Sequence, residues 1–170
     1  MAEIAPGVFV ATADQYTTTT TVVAGPDGWC LLIDPAVTVA DLGGLAKRLS
    51  KRGLRPVAGW STHPHWDHLL WSAAFGDVPR YATPRAAATV ASEQDGLVSA
   101  VREAAPGHDL ALFARVEPLP SRQIDWPGPP ALVRAHDRYS KAAGFQLASS
   151  LALSTTMTSC RPSAPDNLLP

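Results

Sequence analysis

Hydrophobic and polar positions in the first third of the chain follow a strand pattern. Residues 7–11 and 18–24 are short apolar and β-branched runs separated by polar residues. The threonine run 17–21 opens the second of them, and threonine suits a pleated strand. Gly25-Pro26-Asp27-Gly28 supplies a turn into a continuous apolar run at 29–33, so these segments predict hairpin-connected strands. The period then changes. In residues 38–52, Leu42, Leu45, Ala46 and Leu49 recur at helical spacing. Thr38 is placed to cap that helix, with Asp41 three residues on. Lys47, Arg48, Lys51 and Arg52 suit its C-terminal dipole, and Gly53 can end it.

A second strand follows at 56–60, a helix is expected from Asp67 to Phe75, and another strand at 78–83. A long helix is predicted over 84–105, with Thr83 as its cap and Pro84 at its first position. Its stripe is Val90, Leu97, Val98 and Val101, and Pro106-Gly107 closes it. Residues 118–130 are proline-rich and read as loop, and 131–135 as a strand. Strand, helix, strand, helix order predicts an α/β layered sheet. Both helices are expected on one face of a sheet holding 29–33 and 56–60, as the right-handed crossover rule requires.

Composition narrows the classes. The chain has 170 residues, 46% of them hydrophobic and 17% charged, which gives a globular domain with a core. A net charge of −1 leaves no electrostatic footprint for nucleic acid or an anionic membrane. Cys30 and Cys160 do not form a disulfide framework, and Cys30 reads as a core thiol. No apolar run approaches the ~18 residues of a membrane span and no signal-like start is present, so the expectation is a cytoplasmic protein.

The chemistry concentrates in His63-Pro64-His65-Trp66-Asp67-His68. Imidazole and carboxylate are ligands for zinc, iron or manganese. His63 and His65 are two apart, so an extended segment points them to one side. Pro64 favours that extension. Asp67 and His68 fall where the chain can turn and aim back at the same point. Trp66 and Trp71 flank the run, as core packing beside it or as walls of a substrate pocket.

This run matches the HxHxDH signature, and the element order over residues 7–137 resembles the N-terminal half of the metallo-β-lactamase superfamily. The resemblance implies an αββα sandwich. It also implies that His63 and His65 bind a first metal, and Asp67 and His68 a second. Asp67 would further act as the catalytic group that orients the water. It implies zinc in one or two sites, with iron or manganese as other fits, and a small-molecule ester, thioester, lactone or lactam substrate.

The superfamily also supplies a third histidine in a Pro-Gly-His turn after a later strand, a bridging aspartate and a last histidine. Here the segment after 131–135 reads Arg138-Tyr139-Ser140-Lys141-Ala142-Ala143-Gly144, and no histidine follows His136. Pro106-Gly107-His108 spells the expected turn but follows a predicted helix, and reads as a helix-ending turn. His136 reads as a loop residue beside the ligands. The expectation is therefore an incomplete domain over 1–144 and an atypical tail over 145–170, as a truncated or frameshifted relative would have. An incomplete second half would leave a sheet face uncovered and open to self-association. Two functions stay open: a metal-dependent hydrolase, or an inactive relative with weak metal binding. Nucleic-acid processing does not fit the neutral charge.

Overall fold

The computed structural model describes residues 1–35 and 37–128, together with two further strands, Ala131–Val133 and Leu151–Ala152. The chain opens with the strands β1 (Ala2–Ala5), β2 (Val8–Thr12), β3 (Thr19–Ala24) and β4 (Trp29–Ile33). The helix α1 (Val39–Lys51) then leads to β5 (Arg55–Trp60) and β6 (Arg80–Ala82). The helices α2 (Pro84–Ser92) and α3 (Gln94–Ala104) precede β7 (Glu117–Pro118) and β8 (Gln123–Ile124). The strands β9 (Ala131–Val133) and β10 (Leu151–Ala152) follow.

β1 to β7 form one sheet in sequence order, and β10-β9-β8 a second. The first sheet is antiparallel through β4 and parallel from β4 to β7. The change of sense falls where α1 replaces a hairpin, since parallel neighbours need a crossover.

β4 explains the layering. Cys30, Leu31 and Leu32 are fully buried, so both faces of the strand are covered. Cys30 and Leu32 join Leu42, Leu45 and Leu49 of α1 and Val90, Leu97 and Val101 of the two later helices in one core. The helices therefore share a face of the sheet, as their stripes require. Leu31 and Ile33 point the other way, into a core with Val23, Ala58, Trp60, Leu119, Ile124 and Trp126. Ile124 belongs to β8, so the start of the second sheet lies against this face. The Cys30 thiol sits in the first core, where burial pushes it up to about 12. α1 begins with a full capping box: Asp41 N–H donates to Thr38 Oγ1 at 3.0 Å, and Thr38 N–H donates to Asp41 Oδ2 at 3.0 Å.

Two expectations change. The long helix over 84–105 is two helices that meet at Glu93. Just before the break, the Ser92 hydroxyl turns back onto the Thr89 carbonyl at 3.0 Å. The helix expected from Asp67 to Phe75 is absent. In its place are two single 3₁₀ turns, Trp66–His68 and Ala73–Phe75. Leu69, Leu70 and Trp71 are all buried, and a one-sided helix could not bury three consecutive residues. The Leu69 carbonyl accepts instead from Ala114 N–H at 3.0 Å. The loop over 118–130 does carry β8, and of the 131–135 strand the part Ala131–Val133 is described. The 145–170 tail lies outside the described residues except for Leu151–Ala152, which pairs antiparallel with β9.

Gly59 in β5 is a packing constraint. A Cβ there would stand 2.8 Å from the Trp71 ring and 2.9 Å from Arg80 Cγ. Trp71 is held in place by its Nε1–H bond to the Gly76 carbonyl at 3.0 Å, and Arg80 by donating to the Leu112 carbonyl at 2.6 Å. Gly59→Ala should therefore destabilise the fold by about 1–3 kcal/mol, the usual cost of overpacking, with a shifted near-ultraviolet Trp signal. Urea unfolding measures it, and wild-type stability in the variant would contradict this packing.

Candidate metal centre

The carboxyl ends of β4 and β5 lie side by side, and the residues just beyond them form the site. In parallel α/β sheets this end is where ligands bind. Asp34 follows β4, and the 61–68 segment follows β5. Asp34 N–H donates to the Trp60 carbonyl at 3.0 Å, which joins the two strand ends. Its own carbonyl accepts from the buried Thr20 hydroxyl at 2.9 Å. Asp34 adopts φ 48°, a left-handed conformation that a non-glycine residue keeps only when its surroundings hold it.

The Asp34 side chain is 8% exposed, and its carboxylate organises the cluster. Oδ1 accepts from Thr62 N–H at 2.9 Å, and Oδ2 accepts from the Thr62 hydroxyl at 2.6 Å. The hydroxyl proton is thereby committed. His63 Nδ1, 2.9 Å from Thr62 Oγ1, must then be the donor, which leaves the lone pair of His63 on Nε2. Such a relay fixes the tautomer and orientation of a metal-binding imidazole. His68 Nδ1 lies 3.0 Å from Asp34 Oδ2, and its Nε2 lies 3.4 Å from Asp67 Oδ2. The first contact is short but off the hydrogen-bond direction, so it acts as an ion pair. Asp67 also accepts from the Thr18 hydroxyl at 3.3 Å. The ring centres of His63 and His65 are 4.6 Å apart, and those of His63 and His68 3.8 Å. His63, His65, Asp67 and His68 thus share one cluster.

Electrostatics divides the histidines. Burial pushes His63 down to about 4, with the neighbouring His68 charge adding to the effect, so it is neutral at pH 7. Burial also opposes charge on His68. The close contacts and charges of Asp34 and Asp67 outweigh it and raise His68 to about 9. Asp67 is held below the usual carboxylate range, because the bond and charge of His68 overcome the burial that would raise it. The metal-free cluster is therefore a neutral imidazole beside an imidazolium held between two carboxylates.

Among the described residues, no group of three or more His, Cys, Asp or Glu stands in an arrangement that could hold a metal ion. The donor chemistry nevertheless suits zinc: His63 presents a lone pair on Nε2, and Asp67 is ionised. His68 is the obstacle, since each of its ring nitrogens faces a carboxylate.

A structure search places the architecture. The B3 metallo-beta-lactamase BLEG-1 aligns with a TM-score of 0.57 at 21% identity, covering 75% of this chain and 60% of that one. The metallo-beta-lactamase from Pontibacter korlensis aligns with a TM-score of 0.51 at 15% identity, covering 78% and 58%. The fold is that of the metallo-β-lactamases. A beta-lactamase domain protein from Burkholderia ambifaria matches it as well, with a TM-score of 0.50 at 15% identity, covering 78% of this chain and 47% of that one. The chain spans between 47% and 60% of the length of these three structures. A scan against protein-family models and a search of the curated proteins give no match.

Within this metallo-β-lactamase fold the remaining sequence candidates take other roles. His108 donates through Nε2 to the Val37 carbonyl at 2.9 Å. Gly107 before it has φ 95°, as a helix-ending turn requires. His136 lies outside the described residues. Trp71 is core, edge-on to Phe75 at 5.3 Å, and Trp66 packs beside Ala13 and Val37. Asp34, Thr62 and Thr18 were not singled out by their sequence. The available signal was an acidic residue directly after a fully apolar strand, which as sequence reads equally as the start of an Asp-Pro turn.

The raised His68 value gives a pH dependence with a definite sign. Its folded value, about 9, lies above the unfolded 6.5. The stabilisation is fully present below pH 6.5 and is lost as pH rises through 9. In chelator-treated protein, Asp34→Asn should bring the His68 titration down towards 6.5 and flatten the loss of stability over that range. Histidine NMR titration reads this directly, and an unchanged His68 titration in the variant would refute the role given to Asp34.

Proposed function

We propose that this chain is a metal-dependent hydrolase of the metallo-β-lactamase superfamily, with zinc as its metal. The observation that carries this reading is the clustering of His63, His65, Asp67 and His68 beyond the ends of β4 and β5, with His68 paired to Asp34 and His63 linked to it through Thr62. His63 and His65 would hold one ion, and Asp67 and His68 a second. Bound zinc supplies a polarised substrate oxygen and a hydroxide nucleophile near neutral pH.

The chain's own residues set the terms. The Asp34–Thr62–His63 relay fixes the ring through Nδ1, so Nε2 is the nitrogen that would bind a metal. Asp67, ionised and steadied by the Thr18 hydroxyl, is the group that would orient the attacking water. The substrate class is a small molecule with an ester, thioester, lactone or lactam carbonyl, and the setting is cytoplasmic. No described helix is long and apolar enough to cross a membrane.

A second reading has a specific observation behind it. A catalytic zinc normally takes three protein ligands and a water, and the described residues do not assemble such a set. On that reading the chain binds zinc loosely and does not turn substrate over.

Zinc binding must displace the His68 proton, so uptake should release protons and the affinity should rise between pH 6.5 and about 9. His63→Ala should weaken binding by at least about tenfold. Calorimetry in buffers of different ionisation enthalpy measures both effects, and assays on thioester, lactone and lactam substrates separate the two readings. Zinc with turnover supports the hydrolase. Zinc without turnover supports the inactive relative. No zinc binding at any pH in this range rejects both.

A further inference from the structure

Two hydrogen bonds tie the loops of the metal centre to the far end of α3. Gln15 Nε2 donates to the carbonyl of Ala104, the last residue of α3, at 3.2 Å. Gln15 lies three residues before Thr18, whose hydroxyl steadies Asp67. His108, four residues beyond that helix end, donates to the carbonyl of Val37 at 2.9 Å. Val37 is fully buried and lies three residues after Asp34. Between these ties sits Trp66 of the metal loop, packed with Ala13 and Val37.

The tied segments are also strained. Tyr16, Thr17 and Asp34 all have left-handed φ values, of 60°, 50° and 48°. Such conformations persist only where the surroundings over-determine them. Loss of the His108 bond would leave a buried carbonyl without its donor, and the adjoining segment could relieve that by moving out towards water. Asp34 would then be free to relax towards ordinary φ, and the Thr62–His63 relay would move with it.

We propose that His108 and Gln15 are positioning residues. They clasp the loops bearing Asp34 and Thr18 to the end of α3, and so hold the imidazole cluster in shape for a metal. This rests on the metal-centre reading, and it gives His108 a role other than that of a ligand.

The test uses the full chain and the variants His108→Ala, His108→Gln and Gln15→Ala, with two readouts. One is amide hydrogen exchange at Thr62, whose N–H is held by Asp34, in zinc-free protein. The other is zinc affinity by chelator competition. His108→Ala should speed Thr62 exchange about fivefold or more, the scale of one lost hydrogen bond, with Leu32 in β4 unchanged. Zinc affinity should fall by a similar factor. His108→Gln, which keeps a donor at similar reach, should restore both. Gln15→Ala should weaken zinc binding in the same direction, and decides the matter if His108→Ala does not fold. Wild-type Thr62 exchange in His108→Ala overturns the clasp. So does zinc loss that His108→Gln fails to restore while Thr62 exchange is unchanged, since that is the behaviour of a ligand. If the wild-type chain binds no zinc, the metal-centre reading fails by itself and Thr62 exchange alone decides the clasp.

Discussion

The buried Asp34 carboxylate is the constraint on which the site depends. A carboxylate this far from water is costly unless donors surround it. Here the Thr62 amide and the Thr62 hydroxyl donate to it, and the His68 ring supplies the opposite charge. Each partner is fixed in turn. Thr62 passes the constraint to His63 and sets its tautomer, and His68 passes it to Asp67. One side chain at the end of β4 thus dictates the orientation of two imidazoles and a second carboxylate.

The fold determines where that side chain sits. The β4–β5 pair is parallel because α1 crosses between them, so two carboxyl ends meet at one edge. β4 can be apolar throughout because each face has its own cover. The three helices lie on one side, and Leu119, Ile124 and Trp126 on the other. The absence of a regular helix after His68 follows from the same demand for burial. Leu69, Leu70 and Trp71 are all driven inward, which leaves the metal loop compact and braced by Trp71 against Gly59 and Arg80.

Much of this was legible in the sequence. The helical stripe of α1, its Thr38 cap and the strand before it are local signals, and local signals survive folding. The HxHxDH run marked out the residues whose rings the structure brings together. Three features were hidden for physical reasons. The break at Glu93 is a change of backbone course that the apolar stripe, running on from Val90 to Val101, does not register. The loss of the helix after Asp67 is a tertiary outcome, in which burial on all sides overrides a local start signal. Asp34 is distant in sequence from His63 and His68, and only the parallel pairing of β4 with β5 brings them together. His108 shows the converse. A Pro-Gly-His turn has the sequence of a ligand motif, yet the structure directs its ring to the Val37 carbonyl.

The most direct measurement is zinc K-edge X-ray absorption on the zinc-loaded chain at pH 8. A cluster organised by Asp34 gives a first shell that includes imidazole nitrogens at ~2.0–2.1 Å, with the outer-shell scattering of at least two ordered rings. That scattering should collapse in His63→Ala and weaken in Asp34→Asn. A shell of water and carboxylate oxygens only, unchanged by either substitution, would contradict the account, because the histidine cluster would then not be where the metal binds.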